Sequence, residues 1–168
     1  TFKSFNKKFN KILLIGAISN EFTDFMARKA QSKFVICDIS QNLLHQYDIK
    51  NKILIKNEQL VANEKFDLIY SFLDLHHINN IPEYLISIKS HLNKNGFFMA
   101  NFFGEENLKI IRKAILQASI NKASPHLHPN IDIKTAGALL QKTGFKDVIA
   151  DLDKLEIEYE DFKTFAKD

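Results

Sequence analysis

The chain has 168 residues, enough for one domain with its own core, and its 45% apolar and 26% charged side chains make a globular balance. A single cysteine, Cys37, excludes an internal disulfide framework and a cysteine-built zinc site, and predicts a reducing, cytoplasmic setting. The net charge of +3 comes almost wholly from lysine, since Arg28 and Arg112 are the only arginines. Lysines spread along the chain read as solvated surface, not as the clustered arginine forks of a nucleic-acid reader.

No apolar run approaches the ~18 residues of a membrane helix. Thr1 to Asn10 has no signal-peptide core, which predicts a chain that is not exported. The wealth of Lys, Asn, Ile and Phe looks like the coding bias of an AT-rich genome and predicts a bacterial source. A single domain over residues 1–168 is expected, with residues 1–10 as an amphipathic N-terminal segment. Phe2, Phe5 and Phe9 there fall at helical spacing with lysines between them.

Lys11–Gly16 (KILLIG) is a continuous apolar run ended by glycine, the pattern of a strand buried on both faces. Asn20 is placed to cap the next helix, with Phe22, Phe25, Met26 and Ala30 as its buried stripe. A second strand runs Lys33–Asp38 and ends in an acid. Ser40 caps a short helix carrying Leu43, Leu44 and Tyr47, and Lys52–Lys56 is a third strand. Phe66–Phe72 is the fourth. Asn80 and Pro82 start a helix with Ile81, Leu85, Ile88 and Leu92 inward, stopped by Asn95-Gly96. Phe97–Phe103 is the fifth strand. Leu108, Ile111, Ile115 and Ala118 mark another amphipathic helix. Asp132 caps a last one with Ile133, Ala136 and Leu140 inside, where Gly137 eases close packing and Gly144 ends the helix.

The tail has a different pattern. Asp147–Leu152 reads as a strand, and Leu155, Ile157 and Tyr159 then alternate with Glu156, Glu158 and Glu160. Too few residues separate the two runs for a crossover helix, so they are expected to pair antiparallel. The fold expected is α/β: a doubly wound, mostly parallel seven-stranded sheet with an antiparallel C-terminal hairpin.

Four stretches carry a family resemblance: Phe66–Ser71 with Leu75–Asn79, Ser124-Pro125-His126-Leu127-His128-Pro129, Leu139–Phe145, and Asp151–Tyr159. Together the chain resembles the class I S-adenosylmethionine (SAM) methyltransferases with a Rossmann-like fold. The branch is the one that holds the biotin-synthesis methyltransferase and the mitochondrial complex I assembly factor, a methyltransferase-like arginine hydroxylase. The resemblance implies SAM as cofactor and an acceptor that is a protein, such as a respiratory complex I subunit, or a small molecule. It implies Asp38 on the ribose hydroxyls, Asn57 and Glu58 near the adenine, and Gly16, Ala17, Ile39 and Ser71 lining the cofactor site. The family's loop after the first strand is G-x-G-x-G. This chain has Gly16-Ala17-Ile18-Ser19-Asn20, and β-branched Ile18 replaces the middle glycine, where positive φ is needed.

Asp74, His76 and His77 follow the fourth strand, at the edge where ligands bind in such sheets. Asp74 or His76 could take a proton from an acceptor, and His126 joins them as a candidate from the proline-flanked loop. Asp74 with two of His76, His126 and His128 could instead surround iron as two histidines and a carboxylate, although their spacing follows no known ligand cadence. Two further readings compete with the enzyme: a cofactor-less descendant that binds a partner during assembly, and a nicotinamide oxidoreductase. The oxidoreductase fares worst, because its G-x-G-x-x-G is missing and the tail pattern does not suit it.

Overall fold

A computed structural model describes residues 8–16, 19–55, 60, 62–118, 130–165 and 167. Its strands are β1 (Phe9–Ile15), β2 (Ala30–Asp38), β3 (Lys52–Leu54), β4 (Phe66–Phe72) and β5 (Leu92–Asn101). They pair in the order β3-β2-β1-β4-β5, parallel throughout. Parallel neighbours need long crossovers. Helix α1 (Asn20–Lys29) joins β1 to β2, α2 (Gln41–Gln46) joins β2 to β3, and α3 (Ile81–Ser90) joins β4 to β5. Helices α4 (Lys109–Ala118), α5 (Ile133–Lys142) and the single turn α6 (Phe162–Phe165) follow.

The apolar run in β1 is explained by its place. Ile12, Leu13, Leu14 and Ile15 are all fully buried, because a central strand is covered on both faces. Leu13 and Ile15 pack with Tyr84, Leu85 and Ile88 of α3 and, further out, Leu139 and Leu140 of α5. Ile12 and Leu14 face the other way, to Met26 of α1 and Leu44 of α2. Each such side chain contributes roughly 1.5–3 kcal/mol of burial. The strand order reverses between β1 and β4, so the crossovers diverge there. That leaves a crevice at the carboxyl ends of these two strands.

Capping follows the expected chemistry with one shift. Ser40, Asn80 and Asp132 cap α2, α3 and α5 through their side chains, and Pro82 lies in the first turn of α3. For α1 the cap is Ser19 rather than Asn20: its hydroxyl accepts from the Phe22 amide, and Asn20 is already helical. Thr23 is buried in α1 beside Met26, a position the apolar stripe did not flag.

Several expectations are corrected. Phe9 belongs to β1, buried against Phe97 with ring centroids 6.1 Å apart, because the sheet recruits it opposite Ala30. Phe2 and Phe5 lie outside the described residues. Helix α3 ends at Ser90, and Asn95-Gly96 sits inside β5 instead of stopping the helix. Between Phe66↔Leu92 and Leu68↔Phe97 the register shifts, leaving extra residues on β5. A Cβ on Gly96 would meet the Phe66 carbonyl at 2.9 Å, so this glycine serves the bulge. Gly137 faces open space, with nothing within 4 Å of a notional Cβ, so it eases no packing. Leu108 lies just before α4, half exposed and in the left-handed region at φ 54°, not on an inner face.

The largest difference is in the tail. Residues 147–159 form no strand, and the described sheet has five strands, not seven with a hairpin. Leu152, Leu155 and Ile157 face solvent, Leu155 at 83% exposure. Alternation assigns residues to faces; it does not supply the neighbouring edge that would cover one of them.

Candidate active site

At the crevice, β1, β2 and β4 end in register. Ile15 is opposite Cys37 on one side and Ser71 on the other. The next residue, Gly16, turns with φ +93°, and its amide donates to the Cys37 carbonyl at 3.0 Å. A Cβ there would lie well inside 3.0 Å of the Phe72 carbonyl oxygen. Only glycine satisfies both the dihedral and the close backbone approach. Ala17 and Ile18 lie outside the described residues, as do Asn57, Glu58, His126 and His128.

Asp38 ends β2 and is buried, 6% exposed. Its Oδ1 accepts from the Ser40 amide at 2.7 Å, and its carbonyl accepts from Ile55 at 2.8 Å. A carboxylate has about four lone-pair sites, so this turn leaves capacity for ligand hydroxyls. Ile39 beside it is 61% exposed at the same edge. Ser71, at the end of β4, is fully buried, and its Oγ makes no hydrogen bond of good geometry.

The loop after β4 is held firmly. Leu73 adopts φ +50°, uncommon for an apolar residue, while its amide donates to the Asn101 carbonyl at 2.9 Å. Such a conformation costs on the order of 1–2 kcal/mol and persists only where its surroundings impose it. Asp74 follows, 9% exposed. Its Oδ2 accepts from the buried Tyr84 hydroxyl at 2.8 Å, and its carbonyl accepts from the His77 amide at 2.9 Å. His76 and His77 lie on a 3-10 turn (Leu75–His77), their ring centroids 4.0 Å apart, and His76 also meets the edge of Phe103 at 5.0 Å.

The electrostatics tie these groups together. Burial raises the Cys37 thiol well above its usual range, and the Asp74 and Asp38 charges push it further. Burial likewise raises the Tyr84 phenol, followed by the Asp74 charge and hydrogen bond; Ser71 acts weakly the other way. Both carboxylates are thus close enough to Cys37 to act on its thiol. Gly16, Asp38, Ile39, Ser71, Asp74 and His76 all belong to this edge. Tyr84 is the residue that sequence reasoning missed. It falls in the α3 stripe between Ile81 and Ile88, and a phenol in an apolar stripe signals a buried hydroxyl in need of a partner. Among the described residues, no group of three His, Cys, Asp or Glu side chains is arranged to hold a metal.

A doubly wound parallel sheet with a glycine turn at its switch point is the architecture in which ligands bind outside the carboxyl ends of the strands. The chain belongs to the methyltransferase-domain family, whose family model matches residues 2–150. Its relatives include RP459 of Rickettsia prowazekii (strain Madrid E), a protein named among the methyltransferases, at 34% identity over 89% of this chain and 68% of that one. The human mitochondrial arginine-hydroxylase NDUFAF5 is 26% identical over 91% of this chain and 47% of its own length. The chain therefore spans about half of that relative. In fold, it is similar to a SAM-dependent methyltransferase from Mesorhizobium loti, with a TM-score of 0.63 at 16% identity over 82% of this chain and 74% of that one. It also resembles the plantazolicin methyltransferase BpumL in complex with S-adenosylhomocysteine (SAH), with a TM-score of 0.62 at 16% identity over 83% and 57%. Among the described residues, no helix is long and apolar enough to cross a membrane.

Proposed function

We propose that the chain binds SAM at the crevice between β1 and β4 and modifies a protein or small-molecule acceptor there. The observation that carries this reading is the Gly16 turn: a left-handed residue pressed against the Phe72 carbonyl, with the Asp38 carboxylate one strand away. The described residues suit that cofactor. A side chain at Gly16 would fill the cradle, Asp38 has acceptor capacity for ribose hydroxyls, and the buried Ser71 Oγ lacks a good partner. When bound, SAM supplies an electrophilic methyl group on a sulfonium. Gly16 keeps the backbone low beneath the ligand, and the Asp74–His77 turn closes the edge on the β4 side. Asp74 and His76 are the groups placed to accept a proton from an acceptor, and the sequence adds His126 as a further candidate. A respiratory complex I subunit is the protein acceptor or partner that the kinship with NDUFAF5 suggests.

A second reading, partner binding without cofactor, is favoured by one feature of the sequence: Ile18 where the family has the middle glycine of its loop. Calorimetric titration separates the two. Under the first reading, folded protein binds both SAM and SAH. An absence of heat at millimolar ligand overturns it and leaves the partner role, which predicts recovery of a complex I subunit on pull-down. Ile18→Gly with Asn20→Gly is expected to tighten SAM binding if those side chains narrow the cradle.

A further inference from the structure

A carboxylate buried at a helix–sheet contact is costly, because desolvating the ion costs several kcal/mol before any partner is counted. An apolar residue at position 74 would pack α3 onto β4 more cheaply. Three features show that the structure nevertheless holds Asp74 in place. Leu73 is forced into the left-handed region immediately before it. Tyr84, 2% exposed on α3, points its hydroxyl at Asp74 Oδ2. The carbonyl of Asp74 is fixed by the His77 amide. The buried Ser71 Oγ, close enough to bias the Tyr84 phenol but without a hydrogen bond of good geometry, adds a polar atom at the same spot. Rigidity of this kind positions a charge for something outside the core.

We infer that Tyr84 is a positioning residue that holds the Asp74 carboxylate at the crevice as the counter-charge to the cationic centre of the bound ligand, the sulfonium of SAM. This rests on the SAM reading above and goes beyond it: it assigns Asp74 to the charge of the cofactor and gives Tyr84 a role that acts through Asp74. Asp74 lies two residues past Phe72, whose carbonyl touches the Gly16 turn, so it borders the crevice on the β4 side. Asp38 lies on the opposite side, at the end of β2, and the ribose hydroxyls it would accept from are common to both forms of the ligand.

The test uses that difference. SAM and SAH share ribose, adenine and amino-acid parts and differ in the S-methyl group and the sulfonium charge that comes with it. Titration of the full chain with each ligand is compared for wild type, Asp74→Asn, Tyr84→Phe and the double variant, with thermal unfolding of each as a check on folding. Asp74→Asn is expected to weaken SAM by about tenfold and SAH by less than about twofold. Tyr84→Phe should weaken SAM by roughly threefold, again sparing SAH. The double variant should be no weaker than Asp74→Asn alone, since Tyr84 acts through Asp74. Asp38→Asn should weaken both ligands alike.

Equal weakening of SAM and SAH by Asp74→Asn or Tyr84→Phe would reduce the pair to packing and overturn the inference, while leaving the SAM reading intact. Multiplying effects in the double variant would also overturn it. A wild type that binds neither ligand overturns the SAM reading itself, and the inference with it. If Tyr84→Phe fails to fold, tyrosine labelled with 13C at Cζ in the wild type replaces it. The Tyr84 resonance should then move more with SAM than with SAH, and equal shifts would overturn the proposal.

Discussion

The chain up to Lys146 and the tail from Asp147 onward have similar shares of apolar side chains, but among the described residues only the first builds a packed core. In β1 and β4, Ile12 to Ile15 and Leu68 to Tyr70 are almost completely removed from water. In the tail, Ile149, Leu152, Leu155, Ile157 and Phe162 are all more than half exposed. The difference is what lies on either side. A central parallel strand has a neighbour at each edge and a helix on each face, so a run of apolar residues has a place for every side chain. The tail alternates apolar and acidic residues, and among the described residues no strand lies beside it. Burial is a property of the neighbourhood that a segment finds, and its own pattern can only be compatible with one.

Large-to-small substitutions should separate the two regions most strongly. Ile69→Ala removes a fully buried side chain from β4 and should cost about 2–5 kcal/mol, a fall in Tm of roughly 10 °C, read by calorimetry or denaturant titration. Ile157→Ala in the tail should stay within about 0.5 kcal/mol of wild type. A large loss at Ile157 would mean that the tail packs in solution and would break the comparison.

Glycines sharpen it at the next level. Gly16→Ala combines φ +93° with a Cβ driven against a backbone carbonyl that cannot yield, and should cost on the order of 2–3 kcal/mol as well as SAM binding. Gly137→Ala sits mid-helix in α5 with open space around it, and should stabilise by roughly 0.4–1 kcal/mol. Paired thermal melts of the two variants should therefore shift in opposite directions.

What could be read from the sequence follows the same division. The strand Phe66–Phe72 is legible to its ends, and Lys33–Asp38 lies wholly within β2, because aromatic and β-branched runs bounded by polar residues have one good solution. The caps Ser40, Asn80 and Asp132 were legible because a side-chain acceptor before a helix acts locally. Asp38 and Asp74 could be placed at the strand ends by counting along the chain. The hydrogen bond between Asp74 and Tyr84 could not, since it joins a loop to a helix through packing that only the fold defines. The bulge that requires Gly96 was hidden for the same reason: Asn-Gly after a helical run is also the usual signature of a helix end. The tail's alternation does not make it a strand, because alternation is necessary for a half-buried strand and not sufficient.

The ion pairs give the smallest contrast. At the amino ends of the strands, opposite the crevice, Glu64 bridges Lys11 of β1 at 2.9 Å and Lys33 of β2 at 2.5 Å, all three side chains about a third exposed or less. In the tail, Lys154 and Glu156 pair with both side chains 76% exposed. The hydrogen bond from Lys33, followed by that from Lys11, holds the Glu64 carboxyl below its usual value. A carboxyl whose value is lowered on folding stabilises fully above the unfolded value of about 4.3, and that contribution disappears as pH falls through the folded value. Solvent screening keeps it small, so Glu64→Gln should cost well under 1 kcal/mol at pH 7. The cost should shrink as the pH drops below about 4, where wild type and variant converge. Moderate salt should narrow the gap at neutral pH. Glu156→Gln should leave the melting curve unchanged at every pH, because its pair ties the tail only to itself. A gap at Glu64 that persists in acid would show that the side chain acts by packing across β1 and β2, and not through its charge.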